Sequence, residues 1–263
     1  MNITACRRVE HDASRSAARW FAVLVLILGA GLAACSSPRP ISEADEGLAQ
    51  THQTQDIHPR PTAQASAQDI YPGITLDLGN RWVEVDATVV GRDVEWLELL
   101  ACRPGTREYE SIVTVDADAV QLNIALTLLG LTPGQPARTE RDADGQLLFF
   151  APHGPPLELF FVLGDQPGQP IPANRWVIDQ QTRQVMPDNR WVYTGSTIIE
   201  FQGENFFMAE KNGTVVSLLN FGDELVSRPT DQSEAGGTDF WTANTDAIPP
   251  LGTTLKLRFQ PAE

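Results

Sequence analysis

From Trp82 to Val89 the chain alternates without a break: Val83, Val85, Ala87 and Val89 are apolar, while Glu84, Asp86 and Thr88 between them are polar. Successive side chains of a strand point to opposite faces, so this period of two predicts a half-buried β-strand that needs partners to cover its apolar side. The stretch 74–78 follows the same rule, and similar runs lie at 94–101, 112–115, 146–150, 157–163, 191–201, 205–209, 214–219 and 254–259. Asn212-Gly213 is expected to form a tight type I′ hairpin turn, and Asp144-Gly145 gives a similar signal ahead of Gln146.

One helix interrupts these runs. Asp116 or Asp118 can cap it, Val120, Ile124 and Leu128 recur at helical spacing beside Leu122, Ala125 and Leu129, and Gly130 and Pro133 end it. Its apolarity nearly all round predicts a helix over about 117–129 packed deep against the sheet. A short second helix over 238–243 would contribute Trp241. The expected fold is α+β: a mostly antiparallel sheet with one well-packed central helix and a short C-terminal helix. It fills a single domain over 69–263, with a division near 166–172 left open.

The N-terminal quarter reads differently. Arg15 and Arg19 precede an uncharged apolar run from Trp20 to Ala34, shorter than the ~20 residues a helix needs to cross a bilayer. A basic flank, an apolar core and small residues before a cut resemble a secretory signal. Leu32-Ala33-Ala34-Cys35 resembles a bacterial lipobox, which implies that 1–34 is a lipoprotein signal peptide and that Cys35 carries palmitate and becomes the new N-terminus. An ordinary signal peptide with a chance cysteine is the alternative. Ser36 and Ser37 after the cysteine imply outer-membrane placement facing the periplasm in a cell with two membranes. With Cys35 lipidated, the Ser-, Gln-, Thr-, Pro- and Ala-rich stretch to residue 68 is expected to be a disordered linker, because it cannot bury enough apolar area to offset chain entropy.

Charge and rare residues exclude several function classes. The net charge is −15, and signal removal takes away more arginines than acids, so phosphate-backbone binding is disfavoured and no nucleic-acid partner is expected. Attachment to a membrane would rest on the lipid anchor. Cys6 leaves with the signal and Cys35 takes lipid, so Cys102 stands alone in the domain, without a disulfide partner or enough thiolates for an iron–sulfur or multi-cysteine zinc site. Of four histidines, His11, His52 and His58 fall outside the domain. Only His153 remains for acid–base work, in the loop Ala151-Pro152-His153-Gly154-Pro155-Pro156, where an exposed turn is the simpler reading. The segment 130–134 lacks the lysine of a phosphate-binding loop, so no nucleotide is expected. Asp142 and Asp144 lack the downstream glutamate of a calcium loop, and no cofactor is expected.

Asn-Arg-Trp-Val occurs three times, at 80–83, 174–177 and 189–192. It reads as a recurring way to begin a strand, with the tryptophans as core anchors. The alternative is a carbohydrate- or peptide-binding row of exposed Trp82, Trp176 and Trp191.

The densest polar stretch runs Cys102-Arg103-Pro104-Gly105-Thr106-Arg107-Glu108-Tyr109-Glu110-Ser111 into the strand at 112–115. Together with 97–102, Asn123-Ile124-Ala125-Leu126-Thr127-Leu128-Leu129-Gly130-Leu131, Trp191-Val192-Tyr193-Thr194-Gly195-Ser196, the strand 213–219 and Pro249-Pro250-Leu251-Gly252-Thr253, it resembles the YdjY domain family across most of 74–261. In that family a histidine precedes the Glu-Ser pair, and here Tyr109 takes its place. Some members carry a ferredoxin-like label, which the single domain thiol contradicts. The family resemblance implies little about activity; taken with the lipobox, the chain is expected to be a lipid-anchored envelope protein of the YdjY type, a non-catalytic binding or assembly module with an envelope protein as partner. Arg107, Tyr109, Glu110 and Ser111, with His153, form the candidate polar site. A hydrolase using Glu110 and Ser111 with His153 is the rival, and it requires those three side chains to converge. The structural reading is that Glu110 pairs with Arg103 or Arg107 while Ser111 bonds to backbone at the start of its strand.

Overall fold

The computed structural model describes residues 66–164, 169–230 and 240–262. The expected signal peptide, Cys35 and nearly all of the expected linker lie outside the described residues.

The alternating strand Trp82–Val89 finds three partners. Thr254–Pro261 runs antiparallel along one side, and on the other side Ile74–Asp77 covers its first half and Ser111–Val115 its second. That last pairing closes a ring. In order round it stand Trp82–Val89, Thr254–Pro261, Pro156–Leu163, Trp191–Tyr193, Val226–Ser227, Thr214–Ser217, Leu99–Cys102 and Ser111–Val115. Two neighbouring pairs are parallel, 214–217 with 226–227 and 99–102 with 111–115; the others are antiparallel. The strands Ile74–Asp77 and Gln68–Tyr71 extend outward from the ring. Closure leaves the ring itself without a bare edge.

The barrel fills itself. Val83, Val85, Ala87 and Val89 meet Leu255, Leu257 and Phe259 across one pairing, and Leu157, Leu159 and Phe161 across the next; all are buried. Trp176 stacks on Phe161 with ring centroids 3.8 Å apart.

This overturns the α+β expectation: the protein is a closed, mostly β barrel whose helices hold only 10 and 5 residues. The helix Ala119–Leu128 forms where expected, with the Asp118 carboxylate accepting from the amides of Val120 (2.8 Å) and Gln121 (3.2 Å) and Gly130 beyond its end at φ +93°. It is not central. Ala119, Leu122, Ala125 and Leu126 are buried, whereas Val120, Ile124 and Leu128 are exposed. Strand side chains already occupy the core, so the helix covers the barrel on one face, against Ile74–Asp77 and Trp82–Val89.

Other local expectations change for reasons of tertiary pairing. In place of a C-terminal helix, Trp241–Ala243 is a strand against Val177–Asp179, a partner that no local window contains. Residues 208 and 209 leave the strand expected over 205–209 and open the short helix Met208–Asn212, and Gly213 at φ +79° ends it, so Asn212-Gly213 is a helix terminus and not a hairpin turn. The run 191–201 breaks at Gly195 and Ser196, both at positive φ. All three Asn-Arg-Trp-Val copies do lead into strands, beginning at Trp82, Val177 and Trp191.

Candidate functional site

The strands Leu99–Cys102 and Ser111–Val115 are parallel neighbours, so residues 103–110 must carry the chain back along the barrel wall. Parallel pairs ordinarily use a crossover of a dozen residues or more. This one is shorter, and charged side chains hold it in place. Gly105 turns at φ +76°, a conformation that suits glycine, and Glu108–Glu110 form a single 3₁₀ turn.

Arg107 is the centre of the lock. Its Nη2 lies 3.1 Å from Glu98 Oε2, its Nε donates to Glu110 Oε1, and its guanidinium sits 4.0 Å from the centroid of the Phe221 ring. The Ser111 hydroxyl donates to the Arg107 carbonyl at 2.8 Å, and Ser111 is fully buried. Glu110 thus pairs with Arg107 and not with Arg103. Arg103 instead reaches Glu210 at 3.1 Å and donates to the carbonyls of Val115 and Ala117. The second oxygen of Glu210 accepts from the amide of Ala119 at 2.7 Å, tying the crossover to the start of the long helix.

His153 stands elsewhere. It is exposed, and its backbone bridges to Gln135 with N–O distances of 2.9 and 3.0 Å. The strand that follows it, Pro156–Leu163, is three steps round the ring from Ser111–Val115 by the shorter way. At about 4.8 Å per step, those strands face each other across the barrel. Glu110, Ser111 and His153 share no hydrogen bond among the described residues.

Other reactive groups are equally confined. Burial pushes the Cys102 thiol up, partly opposed by a hydrogen bond from Ser111, which leaves little thiolate for nucleophilic work. Burial also pushes the Glu224 carboxyl up, against the amides of Gly222 (2.8 Å) and Asp223 (3.0 Å) that donate to its Oε2. Asp223 Oδ2 accepts from the Asn212 side chain, so the Asp223-Glu224 pair belongs to a turn. Among the described residues, no group of three or more His, Cys, Asp or Glu side chains is placed to hold a metal ion.

Of the repeated tryptophans, Trp176 and Trp191 are fully buried, and Trp82 is half-buried with the Arg258 guanidinium 4.7 Å from its ring centroid. They do not line a common groove. A different aromatic pair does. Tyr109, on the outer side of the Arg107 turn, is 77% exposed, and Trp96, on the segment leading into Leu99–Cys102, is 61% exposed. Both line an open depression of about 440 Å³, and a second of about 310 Å³ adjoins it, sharing Asp93, Val94 and Tyr109. Glu95 and Trp96 border the first; Glu108 and Leu251 border the second. Glu110 lines the first as well, so sequence reasoning reached Tyr109 and Glu110 as part of a site but not the other lining residues. The signal for Trp96 was available: it shares its alternation phase with polar Glu98, while Leu97 and Leu99 point inward.

The fold and site define a small mixed β-barrel with a locked crossover and an aromatic groove beside it. The YdjY domain family model matches residues 74–260, which spans the ring, and the chain belongs to that family. No curated protein and no solved structure matches it.

Proposed function

We propose that this YdjY-domain protein is a lipid-anchored, non-catalytic binding or assembly module of the cell envelope. In this reading Cys35 carries the lipid and the groove between Trp96 and Tyr109 receives a protein partner. One observation carries the binding role: the charged groups that look reactive in the sequence are spent on one another, while the aromatic side chains beside them are exposed. Arg107 is taken up by Glu98, Glu110 and Phe221, and Ser111 by backbone. The basic flank, the apolar run and Leu32-Ala33-Ala34-Cys35 support the anchor.

Two measurements test the two halves. Cys35→Ala should abolish palmitate incorporation and release the protein from membranes; unchanged membrane fractionation would refute the anchor. For the groove, a photo-crosslinking amino acid at position 95 in living cells should give a discrete protein adduct that disappears when Tyr109→Ala is added. The same residue at the exposed position 140 should give none. Adducts that ignore Tyr109, or that form equally at both positions, would remove the groove from the argument.

A further inference from the structure

We infer that the Trp96–Tyr109 groove takes a basic, extended segment of a protein partner, with lysine or arginine side chains seated on the two aromatic rings. The inference rests on the binding role proposed above and names the chemistry of the occupant.

Charge complementarity is the first argument. Asp93, Glu95 and Glu108 all border the groove. One cation, Arg92, also lines the second depression, but its guanidinium is taken up by the carbonyls of Ile248 (2.9 Å) and Thr245 (2.8 Å), and Arg107 is held by its acidic partners, so the acids outnumber the cations at the rim. Asp93 Oδ1 accepts from the Thr245 hydroxyl at 2.9 Å, which fixes that carboxylate at the rim. Glu95 makes no hydrogen bond or ion pair among the described residues. The groove therefore presents negative charge beside exposed aromatic faces, the combination that favours a cation over an anion or a neutral sugar.

Shape is the second argument. Trp96 is held edge-to-face by Phe240, with ring centroids 5.6 Å apart and planes at 85°, so the indole is steadied although exposed. The two depressions adjoin at Asp93, Val94 and Tyr109, a layout that suits alternate side chains of an extended chain about 7 Å apart. The exposed Leu251 at the far side offers an apolar contact for the stem of a long basic side chain.

The test uses the full-length protein in detergent and a labelled peptide of alternating Lys and Ala, followed by fluorescence anisotropy. The peptide should bind, and a matched peptide of alternating Glu and Ala should not. Trp96→Ala combined with Tyr109→Ala leaves every charge in place and removes only exposed rings, so its thermal melt should match the wild type while affinity for the Lys peptide falls about tenfold. Equal binding to the double variant would show diffuse attraction to an acidic protein and overturn the inference. So would absence of binding, or capture of a neutral oligosaccharide in place of the peptide. If the position-95 adduct persists in cells while the Lys peptide fails, the binding role stands and the basic occupant falls. Loss of both removes both.

Discussion

Replacing Arg107 with Met asks whether the candidate polar site is a structural lock or a site kept for ligand. Methionine retains most of the aliphatic stem but removes the guanidinium from Glu98, Glu110 and the Phe221 ring. Only 19% of the Arg107 side chain and 9% of Glu110 are exposed, so Glu110 would be left as a nearly buried charge without its partner. Removing one member of a buried pair costs about 3–5 kcal/mol, and the partial exposure of Arg107 points to the lower end, about 3 kcal/mol. For a domain of this size that is a fall of roughly 9 °C in melting temperature. Adding Glu110→Gln removes the stranded charge and should return about half of the loss. Urea unfolding followed by tryptophan fluorescence gives all three stabilities, provided the slopes agree. A loss below about 1 kcal/mol for Arg107→Met, or no recovery in the double variant, would refute the lock. The turn's charges would then have to be explained by something they bind.

Two further outcomes follow from packing and titration. The Glu224 carboxyl, pushed up by burial, keeps its proton to higher pH when folded than when unfolded. Its contribution is whole below the unfolded value of about 4.3 and is lost as pH rises through the raised folded value. Glu224→Gln has no such titration, so its stability relative to the wild type should climb across that interval in pH-dependent denaturant melts; a constant difference would show that burial does not perturb Glu224. Gly154→Ala would place a Cβ 2.0 Å from the Tyr193 carbonyl oxygen, where the backbone has nowhere to retreat. A loss of at least ~2 kcal/mol is expected, and a melt within experimental error of wild type would show that the Gly154–Tyr193 approach is looser than described.

What the sequence made legible follows the range of the forces involved. Trp82–Val89 could be read to the residue because its alternation is complete. Val226–Ser227, at 2 residues, is too short to show a period, yet it is a stave of the ring. Closure itself depends on Ala87, Thr88 and Val89 meeting Val115, Thr114 and Val113, a pairing set by the whole chain. The helix Ala119–Leu128 misled for a related reason: apolarity on every side suggests full burial, but the barrel had no room left for Val120, Ile124 and Leu128. At the site, the Arg107–Glu110 pair and the Ser111 backbone bond are local and were legible. The separation of His153 and the meeting of Trp96, Tyr109 and Leu251 depend on segments far apart in the chain.

The position of Thr254–Pro261 has a consequence for how this molecule comes into being. This stretch lies between strands that begin at residues 82 and 156, far ahead of it in the chain. Until it arrives, both neighbours present unpaired backbone edges, ready to join other chains. The ring therefore cannot mature stepwise along the chain; it closes only once residues 254–261 are in place, through contacts distant in sequence and correspondingly slow to form. A chain terminated early would lack more than a tail. Without residues 254–261 it would be an opened sheet with two adhesive borders.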